Sequence, residues 1–242
     1  MNGEHLTGLD RVTEPTRASL GEYARLLRDL AGDNAKTLTL FGAIAAGSFD
    51  PQRHTVRNAL VVERVDLGML RRLAEQGVKL GKARIAAPLI MTPAYIQASL
   101  DTFPLEFIEI RQQHITVFGE DRFDGLRFDD AYVRLQCERE LKTILIGLRQ
   151  GLLAAAGREK FIGALKLDAA EALMRTLRGL LWLKGQKDGK PAAEVIAEVE
   201  KIASRKLTGI RIALNPLPVH GWSEFESLYQ DVEELGGIAN AW

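Results

Sequence analysis

The first half of the chain alternates between helical and strand-like spacing of apolar residues. Apolar side chains recur at helical spacing between residues 14 and 30, which predicts a helix that ends near Gly32. Strands are predicted at residues 36–41, 56–65, 84–91, 103–110 and 114–118. Asp66 and Pro93 stand where helices between these strands would begin. The first half is therefore predicted to combine helices with a sheet.

From Asp129 onward the strand signal disappears, and the apolar residues follow helical spacing alone. Apolar stripes run through residues 137–152, 170–181 and 225–235, with a further helix opened by Pro191 and a capping box at Ser223 and Glu226 before the last stripe. We expect the three stripes to share one apolar core, with Leu145 and Leu177 inside it.

The segment at residues 119–128, rich in Gly, Asp and Arg, breaks both periods and marks a boundary between the halves. We therefore predict an α+β fold class with two domains. Residues 1–125 form an α/β domain that includes the N-terminal helix, and residues 126–242 form an α-helical bundle.

Composition narrows the classes of protein to which the chain can belong. Of the 242 residues 46% are hydrophobic, and 32 basic residues balance 32 acidic ones, which excludes a disordered chain. The charges are also balanced within each half, so we expect no nucleic-acid partner. A single cysteine, Cys137, a polar N-terminus and the absence of a membrane-length apolar stretch together predict a folded cytoplasmic protein without a membrane partner.

One segment has the pattern of a ligand site. A predicted strand runs into Gly42, and small residues then lead through Gly47 and Ser48 into what we expect to be a helix. Backbone N–H groups at such a turn can approach phosphate oxygens. A P-loop is excluded because Ser48 and Phe49 stand where that motif needs Lys followed by Ser or Thr. A dinucleotide site is not supported either, since no Gly-x-Gly-x-x-Gly follows a strand.

The order of these features resembles the nucleotidyltransferase superfamily. The loop at residues 40–51 and the strand at 56–62 are similar to its glycine turn and second strand, and residues 118–121 are similar to the segment that closes many small bacterial members. The resemblance covers residues 36–121. It implies an N-terminal nucleotidyltransferase-like domain with a mixed sheet, and a C-terminal bundle that helps to bind a second substrate or a partner.

The sequence departs from this family where active members hold divalent metal. Their second strand carries two carboxylates, but the alignment without gaps places Thr55 and Arg57 there, and a shift by one residue offers Val56 and Asn58. Ala43 also replaces the serine that would follow the first glycine. Neither register supplies an acid, so we expect no metal and no cofactor.

A third carboxylate of the site would come from the later predicted strand, at Glu106 or Glu109. One glutamate cannot hold two divalent cations. Arg57 itself has two interpretations: its guanidinium binds an anion in place of the lost metal, or it forms an ion pair with Glu106 or Glu109 on a neighbouring strand.

Two hypotheses of function follow from the resemblance and its departures. In the first, the protein is a degenerate, non-catalytic nucleotide- or partner-binding module, a pseudoenzyme that can form a homodimer through its bundle. Its candidate nucleotide-binding residues are Gly42, Ala43, Gly47, Ser48 and Arg57, and Thr55 and Arg57 are vestigial metal positions. In the alternative, it is an active adenylyl transferase that uses Mg²⁺ and recruits Asp50 and Glu63 as the acids. A purely oligomerising protein with a vestigial loop is a third interpretation.

Overall fold

A computed structural model describes residues 6–215 and 221–241, and the chain divides into two compact units. The first unit comprises the residues up to Leu100 together with Glu109–Arg127. The second comprises Asp101–Ile108 and the residues from Phe128 onward.

The first unit is built on a mixed sheet of four strands. The strands are β1 (Ala35–Phe41), β2 (Arg57–Val62), β3 (Leu89–Met91) and β4 (His114–Gly119), in the order β3-β2-β1-β4. The central strand β1 runs antiparallel to β2 and to β4, whereas β2 and β3 are parallel. Its helices are α1 (Thr16–Ala31), α2 (Leu67–Ala74), α3 (Gly77–Lys82) and α4 (Pro93–Ala98). The mixed sheet with helices confirms the predicted α+β class.

Local sequence signals explain where the short helices begin. The side chain of Asp66 accepts hydrogen bonds from the backbone N–H groups of Gly68 and Met69 and so caps α2, as predicted. Thr92 caps α4 in the same way, and Pro93 occupies the first turn of that helix. These starts depend on residues close in the chain, which is why the sequence predicts them.

The predicted strand at residues 103–110 is wrong, because these residues form part of helix α5 (Pro104–Gln112). Leu105, Phe107, Ile108 and Ile110 are all buried, so apolar residues occupy several sides of the helix. An apolar run of this length without a clear period is compatible with either a buried strand or a buried helix. The structure also shortens the predicted strand at 84–91 to β3, with one isolated bridge between Val56 and Ile85 upstream.

The second unit is helical in all its described parts. After the start of α5 it contains α6 (Asp130–Ala155), α7 (Glu159–Leu183), α8 (Ala192–Ala203), α9 (Thr208–Ala213) and α10 (Trp222–Ala241). Helix α10 begins at Trp222, so Ser223 lies inside its first turn rather than at the predicted cap. No helix in the described part of the chain is long and apolar enough to cross a membrane.

The predicted stripes meet in one apolar cluster of the second unit. Leu177 and Leu148 are fully buried in this cluster. Cys137 is buried there too, and burial raises the pKa of its thiol to about 12. Leu145, expected in the core, lies at its edge and is only partly buried. The stripe on α6 therefore faces the cluster with Cys137, Leu141, Ile144 and Leu148.

A buried carboxylate joins α8 to α9. Both oxygens of Glu200 accept hydrogen bonds from Arg211 at 2.9 Å, and Glu200 Oε1 also accepts the backbone N–H of Leu207 at 3.0 Å. The hydrogen bonds from Arg211, aided by those from Leu207 and Lys206, outweigh burial and lower the pKa of Glu200 to about 2. The negative charge of Glu200 therefore stabilises the folded state.

Replacing Leu177 by Ala should lower the free energy of unfolding by about 2–5 kcal/mol, since the side chain is fully buried and leaves a cavity. Leu145→Ala should cost less because Leu145 is only partly buried. Leu153, 80% exposed on the same helix as Leu145, is the control, and Leu153→Ala should change stability by less than about 0.5 kcal/mol. Urea unfolding followed by circular dichroism measures all three, and equal losses at 177 and 153 would contradict the assigned core.

Replacing Glu200 by Gln should lower stability at pH 7 by about 1–3 kcal/mol, because Arg211 loses a charged acceptor. The pKa of Glu200 is depressed in the folded state, so its contribution is present above the ordinary value of 4.5 and is lost as the pH falls toward 2. The difference in free energy of unfolding between wild type and Glu200→Gln should therefore decrease as the pH falls over that range. Glu194→Gln, an exposed position on the same helix, should show no such narrowing in parallel urea titrations.

Candidate functional site

The predicted ligand turn lies at the end of β1. Phe41 ends the strand, and the backbone then makes a 3₁₀ turn over Gly42–Ile44. The N–H groups of Ala45 and Ala46 both donate to the carbonyl of Gly42 at 3.0 Å. The helix expected after Gly42 is absent from this described segment, so a helix dipole does not contribute to the site.

The turn presents free backbone donors because two glycines shape it. Gly42 and Gly47 have φ angles of 75° and 70°, which L side chains rarely adopt. Within the described chain, the N–H groups of Ala43, Ile44 and Gly47 have no backbone acceptor. Unpaired N–H groups in a turn can bind anions.

Arg57 lies across this turn. The pairing of β1 with β2 places Arg57 opposite Phe41, and the guanidinium carbon lies 4.5 Å from the centre of the Phe41 ring. A Cβ atom added to Gly42 would lie 3.6 Å from Arg57 Cδ and 3.7 Å from Nη1. The arginine side chain therefore passes close to the backbone of the turn, at a distance that a Cβ atom would also allow.

The guanidinium of Arg57 forms a two-pronged ion pair with Glu109. Arg57 Nη1 donates to Glu109 Oε1 at 2.6 Å, and Nη2 donates to Oε2 at 3.1 Å. The Glu109 side chain is 18% exposed and that of Arg57 is 39% exposed. The ion pair with Glu109 is thus confirmed, but Glu109 lies on helix α5, not on the predicted strand.

Glu106, the other candidate for a third carboxylate, also lies on α5 but has different partners. It accepts hydrogen bonds from Gln136 at 2.8 Å and from Arg175 at 3.0 Å, both in the second unit. Glu106 precedes Glu109 by three residues on the same helix, but the two carboxylates have different partners. Glu106 therefore serves the packing of the second unit rather than the turn.

The buried contacts of Asn58 distinguish the two sequence registers of β2. The hydroxyl of Tyr23 donates to Asn58 Oδ1 at 2.8 Å, and Asn58 Nδ2 donates to the carbonyl of Ala86 at 2.9 Å. Burial raises the pKa of the Tyr23 phenol, so this hydroxyl keeps its proton as a donor. Because side chains alternate along a strand, Arg57 and Asn58 lie on opposite faces, and Arg57 is the one at the turn.

The acids of the alternative hypothesis, Asp50 and Glu63, do not come together. Glu63 follows β2 and pairs with Lys36 at 3.1 Å, and its N–H donates to the carbonyl of Asn34. That is the opposite end of the β1–β2 pair from Arg57, about 20 Å away over six residues of strand. Asp50 Oδ1 instead accepts the backbone N–H of Gln52 at 2.8 Å. The proposed acid pair is therefore wrong.

Candidate metal ligands are not clustered in the part of the chain that the structure describes. Residues 6–215 and 221–241 contain no group of three or more His, Cys, Asp or Glu side chains placed to hold a metal ion. At the turn itself, Thr55 is exposed, Arg57 is cationic, and the one nearby carboxylate is paired with that cation. These residues do not fit a divalent metal.

Arg84 holds the loop that follows the turn, and the sequence carried no signal for it. Arg84 Nε and Nη2 each donate at 2.6 Å, to the carbonyls of Pro51 and Gln52. Its own φ of 58° lies in the left-handed region, which is uncommon for a residue with a side chain. Neither this conformation nor the distant carbonyl partners can be read from the local pattern.

A hydrogen bond between a histidine and a carboxylate lies next to the turn on β4. His114 pairs in register with Phe41, and its Nε2 lies 2.7 Å from Asp121 Oδ2. Burial acts to raise the pKa of Asp121. The hydrogen bonds from His114 and from the backbone N–H groups of Phe123 and Asp124 outweigh burial, so the pKa lies below its ordinary value. The carboxylate thereby anchors the segment that leads out of the sheet.

Taken by class, this arrangement is a nucleotidyltransferase-like α+β fold with a helical C-terminal part. The solved spectinomycin adenyltransferase AAD(9) from Enterococcus faecialis, determined with ATP and spectinomycin, is similar to it with a TM-score of 0.59. The match covers 92% of this chain and 98% of that chain at 10% sequence identity. No family model and no curated protein matches the sequence. At this identity the likeness establishes the fold and not the activity.

Removing either partner of the Arg57–Glu109 pair should destabilise the protein, and the two changes should not be additive. In a double-mutant cycle of Arg57→Met and Glu109→Gln, we expect a coupling energy of about 1–2 kcal/mol, because the hydrogen bonds are charged and the carboxylate is mostly covered. The exposed Lys36–Glu63 pair is a matched control and should couple by less than about 0.5 kcal/mol. Urea unfolding measures both cycles, and equal coupling energies would contradict a special role for the pair at the turn.

Proposed function

We propose that this protein is a non-catalytic nucleotidyltransferase-fold module that holds the phosphates of a nucleotide at the turn of residues 42–48 without a divalent metal. The observation that carries the proposal is the place of Arg57. It lies across Gly42, opposite Phe41, where the resemblance to the family predicts a metal-binding carboxylate.

Electrostatics argues against metal-dependent transfer at this position. Arg57 is a cation at a position where the resemblance predicts a carboxylate ligand, and a guanidinium cannot coordinate a divalent cation. Glu109 is the nearby acid, and its two oxygens already accept hydrogen bonds from the guanidinium. Transfer of a nucleotidyl group relies on divalent cations to offset charge on the phosphate oxygens, and this site offers them no ligand set.

The same residues support binding of phosphate. The turn offers the N–H groups of Ala43, Ile44 and Gly47, and the guanidinium of Arg57 lies in contact range of Gly42 in the same turn. Guanidinium groups and turns of backbone N–H groups are both common ligands of phosphate oxygens. The structural neighbour was determined with ATP, which favours a nucleotide as the phosphate-bearing ligand.

The competing hypothesis of an active adenylyl transferase needs Asp50 and Glu63 to act together, and these two residues lie at opposite ends of the strand pair. Binding of a partner or a second copy through the helical bundle stays a separate prediction.

Binding of ATP should be insensitive to removal of metal. Calorimetry in excess EDTA and in excess Mg²⁺ should give the same dissociation constant, and no AMP should be transferred to water, small alcohols or protein. Binding that occurs only with Mg²⁺ would overturn the proposal, as would a metal-dependent release of pyrophosphate.

Changing Thr55 and Arg57 together to Asp should create a metal site, because Glu109 would then face two further carboxylates instead of a cation. The double variant should gain thermal stability on addition of Mg²⁺ and lose that gain with EDTA, since a ligand that binds the native state alone stabilises it. Thr55→Asn with Arg57→Gln is the matched control and should not respond. A variant that stays folded but insensitive to Mg²⁺ would contradict the placement of these two positions.

A further inference from the structure

Arg57 is not an open receptor for an anion, because Glu109 already occupies its terminal fork. The two terminal nitrogens of the guanidinium each donate to a different oxygen of one carboxylate. This fork has the spacing that also matches two oxygens of a phosphate group. A phosphate that binds Arg57 in this manner and the Glu109 carboxylate therefore compete for the same donors.

We propose that Glu109 is an internal competitor that lowers the affinity of the turn for phosphate, so that a ligand must displace its carboxylate from Arg57. The inference rests on the proposed function and adds a regulation of the same site. The ligand class is a terminal phosphate with two free oxygens, as in a nucleoside triphosphate.

The local structure holds the competitor in place. Glu109 lies on α5 between the buried residues Ile108 and Ile110, so its backbone cannot move away easily. A carboxylate that is tethered beside its partner acts at a high effective concentration, which a free ligand must overcome. Its side chain is nevertheless 18% exposed and can rotate about its own bonds to leave the fork.

The receiving side of the site remains accessible while the pair is closed. The Arg57 side chain is 39% exposed, and it lies in contact range of the turn at Gly42. The ring of Phe41 supports the guanidinium from β1. Release of Glu109 would thus leave the cation beside the N–H groups of the turn with no change in the sheet.

The test is to measure ATP and inorganic phosphate binding in EDTA, by calorimetry at low ionic strength, with wild-type protein and Glu109→Gln. Glutamine keeps the size of the side chain but removes the charge that competes with phosphate. We expect the ATP dissociation constant to fall about tenfold or more in this variant, with a smaller gain for inorganic phosphate. Adding Arg57→Gln to Glu109→Gln should abolish this gain in ATP affinity.

Glu63→Gln is the matched control, because it removes one negative charge from the same sheet at the opposite end of β2. It should leave ATP affinity close to that of wild type. Equal gains in Glu63→Gln and Glu109→Gln would show an effect of net charge and overturn the inference. A gain that survives Arg57→Gln would overturn it as well.

The two proposals can fail separately. If wild type and Glu109→Gln bind ATP equally in EDTA, the competitor role is wrong while metal-free nucleotide binding stands. If neither variant nor wild type binds ATP, the proposed function is wrong and the inference falls with it. Should Glu109→Gln not fold, Glu109→Asp retracts the carboxylate by one methylene group. This variant should show an intermediate gain, and no gain in folded Glu109→Asp would then count against the inference.

Discussion

Two hydrogen bonds from the guanidinium of Arg57 to the carboxylate of Glu109 join the start of β2 to helix α5, and several other features are needed for them to form. The register of β1 with β2 must place Arg57 beside Phe41. Residue 42 must adopt a φ of 75°, a conformation that favours glycine. Helix α5 must present Glu109 rather than Glu106 to the sheet. In this pair, both oxygens of the Glu109 carboxylate accept hydrogen bonds from the guanidinium.

Buried hydrogen bonds of Asn58, on the face of the sheet opposite Arg57, fix the register of β2. Asn58 is 1% exposed, and its amide is used by Tyr23 and by the carbonyl of Ala86. A buried amide without partners would cost free energy, so these contacts oppose a shift of β2 by one residue. The contacts of Asn58 on one face of the sheet therefore fix the register that places Arg57 on the other face.

Fold and sequence are separable in this protein. The α+β architecture is shared over most of its length with an adenyltransferase, yet only 10% of the residues are identical. An apolar core tolerates such divergence when the pattern of buried positions is kept, whereas metal-dependent chemistry requires particular acids at particular points. Thr55 and Arg57 stand at the two positions where the resemblance to the family predicts such acids.

Much of the fold was predictable from the sequence because it depends on neighbours in the chain. The stripes of α6, α7 and α10, the caps at Asp66 and Thr92, and strands β1 and β4 follow from periodicity and from residues within one turn. The turn at Gly42 and the missing acids could also be read directly. These features need no knowledge of distant partners.

Only the tertiary structure decided what the site residues contact. Helix α5 was taken for a strand because its apolar residues have no clear period, and its two glutamates then proved to have separate partners, Glu106 in the second unit and Glu109 at the turn. Arg84 adopts a left-handed backbone to reach carbonyls more than thirty residues away. Asp50 and Glu63 flank one strand in the sequence, but an extended strand separates its ends by its full length. Packing between segments that are distant in the sequence determines which charged side chains form pairs, and the local sequence pattern does not predict it.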